Sequence, residues 1–289
     1  MASIRYLLTH KTDPKWGVNI HTVGMQDIAP GSPYPSGDHP EDYLFFPGGG
    51  RVLREFQVLY ILRGSGWFVS AHHERTQLGA GDVVILYPGE WHNYAPDAGT
   101  GWSEAWIGFT GSLAEMQMEK FFPDRSQPIH HVGISDTLAR AFEKAYEVAE
   151  NQMPAYQQQL MGYVALIVTG VYARCQQLPY LNNPDTDGIN LAMKFMRQNM
   201  HRELRMEDVA AEAGMGYSKF RRTFKDYTGL APAQYFLRLK MERAKDYLVG
   251  TSLSCKEIAY RLGFDSASHF NKMFRLSQGV TPMEFRNAQ

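Results

Sequence analysis

Two groups of polar residues flank paired phenylalanines at matched spacing, fifty residues apart. Ser218, Lys219, Arg221, Arg222 and Lys225 surround Phe220 and Phe224. Ser266, Ser268, His269, Asn271, Lys272 and Arg275 surround Phe270 and Phe274. Rings four residues apart share one face of a helix, which leaves the polar groups on its other faces. Those groups suit nucleic-acid recognition. Arg and Lys donate to guanine O6 and N7, Asn pairs bidentately with adenine, and Ser bonds to base edges or phosphates.

The elements that must position these side chains form an internal repeat. Val209-Ala-Ala-Glu-Ala-Gly214-Met215 aligns with Ile258-Ala-Tyr-Arg-Leu-Gly263-Phe264, and each Phe pair is followed by Gly-x-x-Pro, at Gly229–Pro232 and Gly279–Pro282. A small Ala lets two helices approach, and Gly takes the tight turn between them. Periodicity predicts helices over Ile189–Met200, Met206–Ala213, Tyr217–Tyr227, Pro232–Val249, Cys255–Leu262 and Ala267–Ser277. Each copy then reads as a helix-turn-helix whose second helix enters the major groove. The long Pro232–Val249 helix would set the two readers about one turn of DNA (~34 Å) apart. Solvated surface helices carry similar residues, but two tandem copies with the same Gly and Phe spacing argue against coincidence. Met193, Met196 and Met200 fall at helical spacing and are expected to pack on the Phe pairs.

Charge divides the chain in the same place. From Gly188 to Gln289 there are 17 Lys and Arg against 10 Asp and Glu, whereas the preceding residues carry 12 against 20. A basic module that meets a polyanion is thus joined to an acidic body. The 289 residues allow about two domains, and 44% apolar content supports ordinary cores. Cys175 and Cys255 are too few for a disulfide framework or a four-thiolate zinc site, and neither has a basic or metal-binding neighbourhood. The sequence has no basic-then-apolar leader and no apolar run of ~18 residues. No membrane partner is therefore expected, and the cytoplasm is the expected compartment.

Residues 1–110 read as short strands. Phe56–Arg63 and Trp67–Ser70 are separated by the turn signal Gly64-Ser-Gly66, Val83–Tyr87 follows Gly79–Asp82, and Trp102–Phe109 places Trp102, Glu104, Trp106 and Gly108 on one face. Turns at this spacing predict a sandwich or small barrel. Leu138, Phe142, Ala145, Tyr146 and Ala149 fall at helical spacing, as do Leu160, Val164, Ile167, Val168 and Val171. These two helices, joined near Met153-Pro154, would cover the sheet or pair with a second subunit. Residues 179–188 have a linker composition. The expected domains are therefore 1–178, a linker over 179–188, and 189–289.

The run Ile258-Ala-x3-Gly-Phe-x-Ser-x-Ser-His-Phe-x3-Phe-Arg-x3-Gly-Val-Thr-Pro-x2-Phe-Arg286 closely resembles the C-terminal signature of AraC-type transcriptional regulators. That likeness spans about residues 188–289. It implies that Arg221, Arg222, Asn271 and Lys272 read bases, while Lys219, Lys225 and Arg275 suit phosphates. Asp265 departs from many relatives and is expected to cap the helix that follows it.

The N-terminal half is similar to cupin barrels and to the sugar-sensing domain of the same regulators, over about residues 40–110. Gly81-Asp-x5-Pro88-Gly-Glu-x-His92 carries the likeness, together with Arg51, Pro88–Tyr94 and Trp102–Trp106. It implies an α+β protein with a cupin-like β-barrel and following helices, then an all-α pair of helix-turn-helix units. The effector-binding positions implied are Arg51, Tyr94, Glu104 and Trp106, with His92 adjacent. Trp106 would offer its flat face to a sugar ring while the others supply directional hydrogen bonds. Plain core packing is the alternative for Trp102 and Trp106, and a solvated edge position is the alternative for Glu104.

Enzymatic cupins bind a transition metal through an upstream His-x-His, but here that strand carries Arg51 and Arg54, and guanidinium cannot ligate a metal. The only nearby His cluster, His72-His73-Glu74, falls at a hairpin. No metal, cofactor or catalytic residue is therefore expected. The reading is an effector-responsive regulator, an activator by family habit, that binds double-stranded DNA and a saccharide-like effector. A homodimer is expected, and RNA polymerase is a candidate partner. The alternatives are a metal-dependent cupin enzyme with a DNA-binding tail, and a constitutive DNA-binding protein with a non-sensing barrel.

Overall fold

A computed structural model describes residues 3–8, 13–35, 49–181 and 183–288. Residues 40–48 of the looser resemblance lie outside the described residues. The chain separates into two compact units, Met1–Pro179 and Tyr180–Gln289.

The first unit is built on strands β1 (Ser3–Tyr6), β2 (Asn19–Ile28), β3 (Arg51–Val52), β4 (Phe56–Ser70), β5 (His73–Gly79), β6 (Asp82–Leu86), β7 (Trp91–Pro96), β8 (Trp102–Thr110) and β9 (Ile129–His131). They pair in the order β1-β2-β8-β4-β6-β9, with β5 and β7 on the far half of β4 and β3 on β7. No ladder among the described residues joins β1 to β9, so hydrogen bonding does not close the expected barrel. The sheet instead folds over itself through β4. Gly64-Ser-Gly66 is no turn: β4 runs unbroken through it, with a register shift between Ile61 and Arg63. At Gly64 (φ +78°) a Cβ would stand 2.2 Å from Gly101 O, and at Gly66 it would stand 2.4 Å from Ala95 O. These glycines admit neighbouring backbones, which bends the strand without ending it.

Strand alternation then gives the sheet two buried faces. Ala105, Ile107 and Phe109 of β8, with Val23, Val58 and Tyr60, pack under helices α2 (Asp136–Asn151) and α3 (Tyr156–Gln177), which bury Phe142, Ala145, Leu160, Val164 and Ile167. Burial of each large side chain contributes roughly 1.5–3 kcal/mol. Helix α1 (Ser112–Phe121) contacts β8 and α3 and adds Ala114 and Met118 to this core. The other face carries Ile28, Leu59, Ile61, Phe68, Tyr94, Trp102 and Trp106. Of the helices described, none is long and apolar enough to cross a membrane.

The second unit contains α4 (Pro184–Gln198), α5 (Met206–Glu212), α6 (Tyr217–Thr228), α7 (Pro232–Gly250), α8 (Cys255–Arg261), α9 (Ala267–Gln278) and α10 (Pro282–Asn287). Half of the expected linker, residues 184–188, is α-helical. Asn183 caps α4 by accepting from Asp185 N, Pro184 occupies its first turn, and Gly188 is buried against Ala213 O. Asn-Pro-Asp thus signals a helix start as well as a loop.

The repeat is visible in the packing. Phe220, Phe224, Phe270 and Phe274 are fully buried. Phe224 meets Tyr235 edge-on at 5.2 Å, and Phe274 meets Phe285 edge-on at 5.6 Å, three residues after the matched prolines. Met196 is buried in the first of these cores, with Met193 and Met200 beside it.

Candidate functional site

On the inner face of the first unit, the register sets Thr22 opposite Gly108, Gly24 opposite Trp106, Gln26 opposite Glu104 and Ile28 opposite Trp102. Gly24 is required here. A Cβ at that position would stand 2.2–2.5 Å from the Trp106 indole, which therefore occupies the space over the β2 backbone at Gly24. Glu104 is buried. It accepts from Gln26 Nε2 in a short hydrogen bond and from Tyr34 Oη at 3.2 Å. Burial lifts its carboxyl to about 7, against the downward pull of those donors and of Arg51. The Tyr34 ring stands edge-on to Trp102 at 5.8 Å. The Trp102 indole N–H lies close enough to Glu104 to help draw that carboxyl down, yet it makes no hydrogen bond of good geometry among the described residues.

The opposing half of the sheet supplies the remaining groups. Arg51 and His92 are paired across β3 and β7, and Tyr94 lies two residues beyond. Arg51 Nη2 donates to Tyr94 Oη at 2.8 Å, and its Nε points at His92 Nε2 at 3.4 Å. Burial and the Arg51 charge hold the His92 imidazole at about 3, so it is neutral. Nδ1 then carries the proton and donates to Glu90 O at 3.1 Å, leaving Nε2 to accept from Arg51. Further in, Ser70 Oγ donates to Glu90 Oε1 at 2.7 Å. Tyr94 and Trp102 bring the two halves together, with ring centroids 6.1 Å apart.

The five residues proposed from sequence therefore lie on one buried face. Glu104 is no solvated edge residue. Sequence reading missed Tyr34, Gln26, Thr22, Gln57 and Glu55. Thr22 Oγ1 donates to Glu55 Oε1 at 3.1 Å and accepts from Gln57 Nε2 at 3.3 Å. The signal for β2 was present in the alternation of Thr22, Gly24 and Gln26 with Val23 and Met25.

In the second unit, all ten proposed contact residues are exposed: Ser218, Lys219, Arg221, Arg222 and Lys225 on α6, and Ser268, His269, Asn271, Lys272 and Arg275 on α9. Lys219 is engaged with Asp185 at 2.7 Å, so a phosphate must compete with that carboxylate for it. Asp265 does not cap α9. Ser266 is the N-cap, and its Oγ accepts from His269 N at 3.1 Å. A hydroxyl at the cap position reaches that N–H, whereas Asp265, one residue earlier, stays exposed.

Two family models match the chain in the same two parts. An AraC-like ligand binding domain matches residues 37–167, and a helix-turn-helix domain matches residues 209–288. The chain belongs to the AraC-type transcription regulators. Among curated relatives, it is 27% identical over 253 residues to the MmsAB operon regulatory protein of Pseudomonas aeruginosa, covering 86% of this chain and 76% of that one. It is 24% identical over 251 residues to the raffinose operon transcriptional regulatory protein RafR of Pediococcus pentosaceus, covering 83% and 87%. A solved AraC-type regulator structure from Chromobacterium violaceum is 33% identical, spans 35% of this chain and 90% of its own, and superposes with a TM-score of 0.34. This regulator is a mixed α+β protein that binds DNA through its helical unit.

The buried titratable groups of its first unit give a testable pH dependence. Glu104 titrates at about 7 instead of 4.5, so its contribution to stability is lost as pH rises across that window. His92 titrates at about 3 instead of 6.5, so its contribution is present above 6.5 and lost as pH falls through 3. The two oppose each other between 4.5 and 6.5. Glu104→Gln therefore makes stability rise more steeply with pH between 4.5 and 7 than in the unsubstituted chain, as read from urea midpoints at each pH. Parallel profiles for the two chains would mean that Glu104 is ionised throughout.

Proposed function

We propose that the inner face of the first unit binds a small polyol, such as a saccharide or sugar derivative, and that this binding changes how α6 and α9 occupy an operator. The observation that carries the reading is the convergence of Arg51, His92, Tyr94, Tyr34 and Glu104 beside the Trp102 ring, on the face that also carries the Trp106 indole. Aromatic faces beside directional donors and acceptors match the alternating C–H and O–H surfaces of a sugar ring. The name of RafR, a raffinose operon regulator, points the same way.

On this reading the regulator works in the cytoplasm as a homodimer, assembled through α2 and α3, and meets RNA polymerase at promoters. A groove of about 300 Å³ between those helices, lined by Leu138, Leu166, Gly170 and Ala173, supports the assembly, as does the half-exposed Leu166. It is not an enzyme. The geometry at His92 disfavours the metal-dependent cupin alternative, since the Nε2 lone pair that would ligate a metal is already directed at Arg51.

Coupling requires the effector to favour one arrangement of the chain over another, since equal affinity shifts nothing. The test is a thermal-shift screen of mono- and oligosaccharides, followed by operator binding with each hit. A true ligand at 100 times its Kd stabilises by about 2.7 kcal/mol. A hit that shifts stability and alters operator affinity supports the proposal. Stabilisation without any change in operator affinity would make the first unit a binder that does not signal, and no hit would favour the constitutive alternative.

Trp106→Ala should abolish the effector response and leave effector-free DNA binding measurable. Gly24→Ala should do the same by forcing the indole off β2. If Trp106→Ala unfolds the first unit, Trp106 is packing and not a ligand platform.

A further inference from the structure

The two DNA readers do not share a core. Phe220 and Phe224 cluster with Ile189, Met196, Val209 and Phe236, at the start of α7. Phe270 and Phe274 cluster with Met241, Ala244, Leu248 and Ile258, at its end. A single helix thus passes from one core to the next, and by itself it leaves the angle between the two modules weakly determined. The buried residues of the two cores change over on α7 between Phe236 and Met241.

Lys240 occupies this point, and it is only 5% exposed. Its Nζ donates to Arg202 O at 3.0 Å, in the loop after α4 of the first module. It also reaches Gly263 O at 3.4 Å, in the turn of the second. The ammonium sits 4.7 Å from the Phe236 ring centroid and 5.1 Å from that of Phe264, one ring from each module. A second observation marks the same contact. Gly263 (φ +62°) abuts Arg202 so closely that a Cβ would stand 2.5–2.7 Å from Arg202 N, Cα and C. The modules therefore meet backbone to backbone, and a buried cation joins a carbonyl from each.

We propose that Lys240 is a positioning residue that sets the spacing and angle between the two readers, and so fixes the half-site separation the protein accepts. The group remains charged near pH 7. Burial lowers it to about 8, and Glu203 and Asp265 oppose that shift. A buried ammonium with a carbonyl from each module and an aromatic face on either side is costly to separate from any of them. The role differs from base or phosphate contact, because Lys240 is buried and its ammonium is directed at the carbonyls of Arg202 and Gly263.

The test uses duplexes selected by the full chain from a random pool, resynthesised with one base pair added or removed between the two half-sites. One base pair turns a half-site by about 34–36° around the DNA axis. The unsubstituted chain should lose about tenfold or more in affinity on respacing. Lys240→Met keeps the aliphatic stem and drops the ammonium. That variant should bind respaced duplexes within about twofold of the original, with single-half-site affinity unchanged, and Lys240→Arg should restore discrimination.

Gly263→Ala wedges the same contact from the other side and should relax or shift the preferred spacing. A folded Lys240→Met chain that discriminates spacing as the unsubstituted chain does would overturn the proposal. If that variant fails to fold, unaltered discrimination by Gly263→Ala would overturn it equally.

Discussion

A chain carrying both Arg222→Ala and Lys272→Ala binds its operator with roughly 2–6 kcal/mol less free energy than the unsubstituted protein, while both units stay folded. Each side chain is exposed on the free face of its helix, opposite a fully buried Phe pair, so neither truncation disturbs a core. A base contact of this kind is worth about 1–3 kcal/mol, and contacts in separate half-sites add because they share no partner. Each single substitution should also relax preference at one base position within one half-site. Competition binding at a fixed moderate salt concentration reads both effects. Salt must be held constant because phosphate contacts alone would lower affinity evenly across sequences and reduce the salt slope by about one per contact. Full affinity in the double variant would mean that the recognition helices are oriented differently.

Phe270→Ala destabilises the second unit by about 3–5 kcal/mol, the range for emptying a fully buried aromatic site. Phe270 has no exposed surface and packs on Phe264 at 5.5 Å and on Phe274 at 5.8 Å, so the surroundings have little freedom to collapse. This is much of the stability of an ordinary domain. DNA binding should therefore fail at temperatures where the first unit, which has its own cores, remains folded. Two-wavelength melting with an operator-binding assay at each temperature checks this. Loss of both transitions together would show that the units fold as one.

How much of this was legible in the sequence differs between the units for a physical reason. Helix-turn-helix packing is local: Ala210, Gly214, Phe220 and Phe224 act within fifteen residues of one another, and the second copy repeats the pattern. Spacing alone therefore specifies the helices, the buried rings and the exposed polar faces. The inner face of the first unit depends on strands far apart in sequence. Gln26 meets Glu104 across 78 residues, and Arg51 meets Tyr94 across 43. Such pairs follow from register, which short apolar runs do not specify.

Gly64-Ser-Gly66 misled for a related reason. Glycine marks both a turn and a close backbone approach, and only the neighbouring Gly101 and Ala95 distinguish them. Lys240 was invisible for the opposite cause. A lysine in a helical run reads as solvated surface until Arg202 and Gly263 are found on either side of it.

The most direct test of the account is hydroxyl-radical footprinting of the full chain on a selected operator, run beside Arg222→Ala and Lys272→Ala. Protection is expected in two successive turns on one side of the duplex, with each substitution weakening a different one. A single protected turn, or two that respond identically to either substitution, would contradict it.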